Sequence, residues 1–241
     1  MRAAAAVVCV AGLLAAGCGG DEQEPPPAVG LRVAAGAPAP GAARVFAEFL
    51  DAAARGDATG MWALLSEPTR ASLGRTLDGF RRGAAYDLEQ TAGLLRDPGE
   101  PVLARAFGPR WAVAAVAGEI ERDGEREHAA YAAALRRERG EWRLELNGLF
   151  FVSHEPAPLE EVETRTPLLR VTAQSSARIE RMVLWLDGEP VGARAVRPQP
   201  FTGTITARAA RPLEPGVYVV TAFAATDETA AAQAWPFVVG D

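Results

Sequence analysis

Trp111-Ala112-Val113-Ala114-Ala115-Val116-Ala117-Gly118-Glu119-Ile120 is an apolar run of strand length, and the chain reads differently on either side of it. From Pro101 onward the pattern has a period of two. Val102 to Phe107, Trp111 to Ile120, Glu127 to Arg137 and Glu141 to Leu146 are strand-like, and Gly108-Pro109, Asp123-Gly124 and Arg139-Gly140 separate them as hairpin signals. Three hairpins in series predict an antiparallel meander.

Upstream of this stretch the period is helical. Val45, Phe46, Phe49, Leu50 and Ala53 share one face, Arg44, Glu48, Asp51 and Arg55 lie off it, and Gly56 supplies a left-handed stop. Asp57 is placed to cap a second short helix with Met61, Trp62, Leu64 and Leu65, which Ser66-Glu67-Pro68 ends. A third helix is predicted from Leu73, Leu77 and Phe80 at i, i+4 and i+7, whereas Ala84 to Arg96 fits helix or strand. Helices first and a sheet after predict an α+β domain with the helices covering one sheet face.

Downstream, His154 to Thr166 contains Pro156, Pro158 and Glu160-Glu161 and reads as an interdomain hinge. Leu168 to Ala173, Ile179 to Leu186, Val191 to Val196, Phe201 to Ala207, Val217 to Ala224 and Ala234 to Val239 then read as strands, with turns at Asp187-Gly188 and Pro215-Gly216. Six or seven short strands predict an all-β immunoglobulin-like sandwich. Trp185, Trp235, Phe223 and Phe237 alternate within these runs and read as core. The stretches Leu184-Trp185-Leu186-Asp187-Gly188-Glu189-Pro190-Val191 and Leu213-Glu214-Pro215-Gly216-Val217-Tyr218 resemble bacterial immunoglobulin-like modules.

The N-terminus speaks to location. Met1-Arg2 is a short basic start, Ala3 to Ala16 is apolar, and Gly17-Cys18 precedes an abrupt return of polarity at Asp21-Glu22, which is the layout of a signal peptide. Leu13-Leu14-Ala15-Ala16-Gly17-Cys18 resembles the lipobox of bacterial lipoproteins, although Ala15 stands where that motif more often has Leu. The resemblance implies cleavage before Cys18, lipidation of its sulfur with acyl chains such as palmitate, and attachment to the extracytoplasmic face of the cell membrane, which two or more chains make stable. Cleavage by an ordinary signal peptidase at the Ala-rich end is the alternative. The apolar run is shorter than the roughly 20 residues that span a bilayer.

With the leader, Cys9 leaves too, so Cys18 is the one mature cysteine and no internal disulfide is possible. Residues 19–40, with Pro25-Pro26-Pro27 and Ala37 to Pro40, read as an extended tether. The expected organisation is thus a leader at 1–17, lipidated Cys and tether at 18–40, an α+β domain at 41–152, a linker at 153–165 and a sandwich at 166–241. Lys is absent and all 25 basic residues are Arg. Loss of Arg2 takes the formal charge from -6 to -7. Acids and bases are interspersed, so a nucleic-acid partner is not expected.

The α+β part resembles the nuclear transport factor 2-like fold, a curved, cone-like sheet around a long N-terminal helix. The residues that carry this are Ala43-Arg44-Val45-Phe46-Ala47-Glu48-Phe49-Leu50, the Arg55-Gly56-Asp57 break, Met61-Trp62-Ala63-Leu64-Leu65-Ser66 and Glu141-Trp142-Arg143-Leu144. Such a fold implies a cavity, for which Tyr86, Asp87, Glu89, His128 and Tyr131 are the polar or titratable candidates. Ala130, Ala132 and Ala134, with Ala112 and Ala114, would either admit a helix at close range or leave room for an apolar ligand.

No catalytic constellation, phosphate loop or metal spacing is present. A copper sandwich would need more than Met182 and His154. No cofactor is expected beyond the covalent lipid. The leading functional expectation is a non-enzymatic, membrane-anchored binding or scaffolding protein with an envelope protein or cell-wall component as partner. The alternatives are a carrier of a small apolar ligand or lipid, and an isomerase-like enzyme using Tyr86 and Asp87.

Overall fold

The computed structural model describes residues 36–93, 95, 101–122, 124–194 and 202–241. The leader, Cys18, the tether up to residue 35, Leu94, Asp123 and Phe201 lie outside the described residues. The end of the expected tether is already part of the fold. Strand β1 (Ala37–Pro38) pairs antiparallel along β2, and helix α1 (Pro40–Ala54) starts on a proline whose missing N–H costs nothing in a first turn. Val45, Phe46, Phe49, Leu50 and Ala53 are buried on α1 as the spacing predicts, and Gly56 (φ +63°) ends its last turn.

Short capped helices follow. The Asp57 carboxylate accepts from Gly60 N–H at 2.9 Å and starts α2 (Ala58–Leu64), and Ser66 Oγ accepts from Thr69 N–H at 3.2 Å to start α3 (Glu67–Ser72). The helix expected across Leu73, Leu77 and Phe80 is broken. Gly74 (φ +130°) and Arg75 (φ +61°) turn the chain in the left-handed region, and α4 (Leu77–Arg82) begins afresh from the Thr76 cap. The turn is tight: a Cβ on Gly74 would lie 2.6 Å from the Gly79 carbonyl carbon. The first part of the ambiguous stretch is helix, α5 (Ala84–Thr91).

The meander forms as read, from β2 (Leu103–Phe107), β3 (Trp111–Arg122), β4 (Glu125–Glu138) and β5 (Glu141–Glu145), in the order β1-β2-β3-β4-β5. What distinguishes this sheet is that both faces are buried. Ala112, Ala114, Val116, Ala133, Leu135 and Leu144 meet Phe46, Phe49, Met61 and Phe80 of the helical layer. On the opposite face, Leu103, Phe107, Trp111, Val113, Ala115, Ala132 and Ala134 meet a second sheet.

That second sheet belongs to an all-β sandwich built from β6 (Leu149–Glu155), β7 (Glu161–Val162), β8 (Leu168–Ser175), β9 (Arg181–Leu186), β10 (Glu189–Arg194), β11 (Thr202–Arg208), β12 (Gly216–Ala225) and β13 (Ala230–Val239). One sheet has the order β10-β9-β12-β13-β7 and the other β11-β8-β6. The sandwich core holds Val171, Leu184, Val220, Trp235 and Phe237, while Val183, Trp185, Phe223, Ala230 and Ala234 point the other way, into the seam with the meander. Trp185 and Phe223 are therefore core, but of the seam rather than of the sandwich. The result is four layers: helices, meander, five-stranded sheet and three-stranded sheet.

Two expectations are corrected. The boundary at 152 and the linker at 153–165 do not hold, because β6 crosses the boundary, reaches Glu155 and pairs with β8, and β7 (Glu161–Val162) adds parallel to β13. Trp235 Nε1 donates to the Pro156 carbonyl at 2.9 Å and Leu159 N–H to that of Pro236 at 2.8 Å, so the Pro-rich stretch is hydrogen-bonded into the sandwich instead of acting as a hinge. The alanine patches, second, admit α1 on one face, through Ala112 and Ala114, but a sheet on the other, through Ala132 and Ala134, with Ala130 beside them. Short side chains there leave room for the bulk supplied opposite: Phe107 stacks on Phe223 with centroids 4.8 Å apart and meets Trp185 at 5.8 Å.

Trp185 Nε1 and Thr221 Oγ1, which face each other across β9 and β12, are buried in this region without a partner among the described residues. Each costs about 1–3 kcal/mol, so apolar packing must outweigh both. Phe223→Ala is expected to lower stability by about 3–5 kcal/mol. Because the seam joins the layers, urea transitions followed by tryptophan fluorescence and by far-ultraviolet circular dichroism are expected to coincide; two separated transitions would mean that the seam does not couple the sheets.

Candidate functional site

The residues expected to line one cavity are dispersed. Tyr86 and Asp87 stand on the outer surface of α5, Tyr86 with 64% of its surface exposed. His128 and Tyr131 are three apart on β4, and a strand alternates faces every residue, so they point to opposite sides of the meander. Tyr131 faces the helices and lies parallel to Phe46, with centroids 5.9 Å apart, whereas His128 is exposed opposite Glu119. Glu89 is on α5, with its carboxylate beside Gly56. No acid and tyrosine converge here in the way proton transfer beside a carbonyl requires. The apolar wall pushes the Tyr131 phenol up to about 12, which makes it a poor proton donor near neutrality.

The polar convergence that does exist lies at the junction of meander and sandwich, and it is built around Glu145. This carboxylate, at the end of β5, is 1% exposed. It accepts from Ser66 Oγ at 2.7 Å and from Arg136 Nε at 2.9 Å, with Arg136 Nη2 at 3.3 Å from the other oxygen. Ser66 is also the cap of α3, so one carboxylate ties helix start, strand end and neighbouring strand. Arg136 and Arg110 reach on to donate to the carbonyls of Glu228 and Asp227, in the turn between β12 and β13, and Thr229 Oγ1 of the same turn donates to the Asn147 carbonyl. A buried, bidentate pair with a further hydroxyl donor is the arrangement in which the Coulombic gain offsets desolvation.

Beside this cluster a groove of about 850 Å³ opens, walled by α3, the β2–β3 turn, β4, β5 and the β4–β5 turn, and a second recess of about 410 Å³ adjoins it, sharing Pro68, Arg110 and Arg136. Six arginines line the larger groove: Arg70, Arg110, Arg136, Arg137, Arg139 and Arg143. Linear reading misses them because glutamates alternate with them along the chain. The available signal was local: Arg136, Arg137 and Arg139 flank the Gly140 turn, with Trp111 and Trp142 on the strands beside it. Among the described residues no group of three or more His, Cys, Asp or Glu is placed to hold a metal ion, and no helix is long and apolar enough to cross a membrane.

Two outcomes follow from this geometry. Glu145→Ala leaves Arg136 without its buried partner and is expected to cost about 3–5 kcal/mol in chemical denaturation. For Tyr131 the folded value lies above the ordinary 10, so its contribution to stability is complete below pH 10 and is lost as pH rises toward about 12. In a spectrophotometric titration of the three tyrosines the last phenolate to form is expected to vanish in Tyr131→Phe; if it stays, the packing against Phe46 is wrong.

No protein-family model and no curated protein matches the chain. Among solved structures it is similar to the fibronectin(III)-like modules of Clostridium thermocellum CbhA, with 16% identity and a TM-score of 0.28 over 38% of this chain and 94% of that one. It is also similar to a Jonesia denitrificans lytic polysaccharide monooxygenase, with 19% identity and a TM-score of 0.27 over 35% of this chain, and it spans 60% of that structure.

Proposed function

We propose that the chain is a non-enzymatic lipoprotein, held by acyl chains on Cys18 at the extracytoplasmic face of the cell membrane, which presents a rigid binding or scaffolding module to the cell envelope. In this reading the helices and meander are a nuclear transport factor 2-like domain and the eight strands from β6 to β13 an immunoglobulin-like one. The observation that carries it is the doubly buried meander. A sheet clamped between helices on one side and a second sheet on the other fixes the relative placement of surface groups contributed by both parts, which is what recognition by surface complementarity needs. The anchor rests on Leu13 to Cys18, where a single mature thiol follows an apolar leader.

The carrier alternative needs space between helices and meander, and there Phe46, Phe49, Met61, Phe80 and Leu135 are all fully buried side chains. That filling favours the scaffold. The enzyme alternative needs Tyr86 and Asp87 in a recess, and both are at the surface.

The anchor is tested by the intact mass of protein extracted from its own membrane. The expected result is a chain beginning at Cys18 with added acyl mass, and Cys18→Ser is expected to move the protein to the soluble fraction. An unmodified N-terminus elsewhere would remove the anchor from the proposal.

A further inference from the structure

Most of the groove's arginines are not neutralised from within. Arg136 is paired with Glu145 and Arg143 with Glu141, and Glu138 uses its carboxylate to accept from Glu67 N–H at the start of α3, at 3.0 and 3.3 Å. Among the described residues no carboxylate lies within ion-pair distance of Arg70, Arg110, Arg137 or Arg139. Six arginines thus face three lining glutamates, Glu67, Glu138 and Glu141, an excess of three positive charges on a chain whose formal charge is -6. Three of those four arginines are also held in place. The Arg70 guanidinium lies 5.9 Å from the Trp62 ring centre, Arg110 lies 5.2 Å from that of Trp111 and Arg137 lies 5.6 Å from that of Trp142.

A guanidinium resting on an aromatic face keeps its N–H edge outward and loses little freedom when it binds, which is how arginine takes up carboxylate or phosphate oxygens in pairs. Because the four come from α3, the β2–β3 turn, β4 and the β4–β5 turn, they address separate points along the groove instead of one. A volume of about 850 Å³ is likewise far more than one phosphate fills.

We infer that this groove binds an extended polyanion, a chain carrying phosphate or carboxylate groups at intervals. The sandwich bears on the site indirectly, since the β12–β13 turn accepts hydrogen bonds from Arg110 and Arg136 and so holds two of the lining arginines. The inference rests on the reading of the chain as a binding module and is independent of its anchor, which is judged by N-terminal mass alone.

The test is a titration of the full chain in detergent with long-chain polyphosphate and with polygalacturonate, using inorganic phosphate and glycerol phosphate as single-charge-group controls. The expected result is saturable binding of at least one polymer, weakened as ionic strength rises toward about 0.15 M, with neither monomeric probe binding comparably. The double substitution Arg137→Gln with Arg139→Gln is expected to weaken polymer binding by about tenfold or more while the thermal unfolding temperature falls only slightly, because both side chains are exposed and only the Trp142 and Gly140 contacts of Arg137 are lost. Arg44→Gln, on α1 outside the groove lining and with 76% of its side chain exposed, is the control for diffuse attraction.

Binding of polyphosphate alone or polygalacturonate alone supports the inference and names the anion. Absence of polymer binding overturns it, as does equal weakening by Arg44→Gln. Glycerol phosphate binding as tightly as the polymer overturns it in favour of a single lipid headgroup. Failure of the titration with an acylated Cys18 in place would leave the anchored scaffold standing and reject only the groove's ligand.

Discussion

Burial of one antiparallel sheet on both of its faces is the constraint on which the rest of this structure depends. Antiparallel sheets more often face water on one side, and their strands then alternate apolar with polar. Here β3 and β4 alternate apolar with apolar. Ala112, Ala114 and Val116 serve the helices while Val113 and Ala115 serve the sandwich, and Ala133 and Leu135 are opposed by Ala132 and Ala134 in the same way. The two faces differ less in polarity than in what they receive. Each takes bulky aromatic side chains from its neighbour, Phe46, Phe49 and Phe80 on one side, Trp185 and Phe223 on the other, and an alanine-rich sheet can accept both.

The polar cluster at Glu145 works with the seam. Apolar packing is directionless and would permit the sandwich to slide over the meander, whereas the Ser66–Glu145–Arg136 arrangement and its hydrogen bonds to the β12–β13 turn work at one register only. The turn that closes this junction lines the smaller recess that adjoins the arginine-lined groove. Rigidity and the proposed binding surface therefore involve the same residues: Arg110 and Arg136 both line the groove and donate to that turn, while Trp111 lies beneath them.

Much of the fold was legible locally. The apolar face of α1, the caps at Asp57 and Ser66, and the three hairpins of the meander follow from period and turn chemistry alone, because those are short-range effects. Beside the apparent hinge and the alanine patches, two misreadings have local causes. The split after Leu73 was hidden because an i, i+4, i+7 pattern survives across Gly74, whose backbone freedom outweighed it. The site candidates failed on geometry that spacing already contained, since His128 and Tyr131, three apart on a strand, could not have faced one cavity.

By itself the sequence determined the layer types, the order of elements and the thiol at Cys18, since these depend on neighbours within a turn or a hairpin. Tertiary structure decided the rest. It made β6 and β7 of the apparent hinge, chose which alanines meet a helix and which a sheet, and gathered arginines from three elements and two turns around one groove. The physical reason is range: a strand's pattern shows that both faces are apolar, but the surface that covers each face is supplied by residues tens to more than a hundred positions away, whose approach is set by shape and not by any local rule.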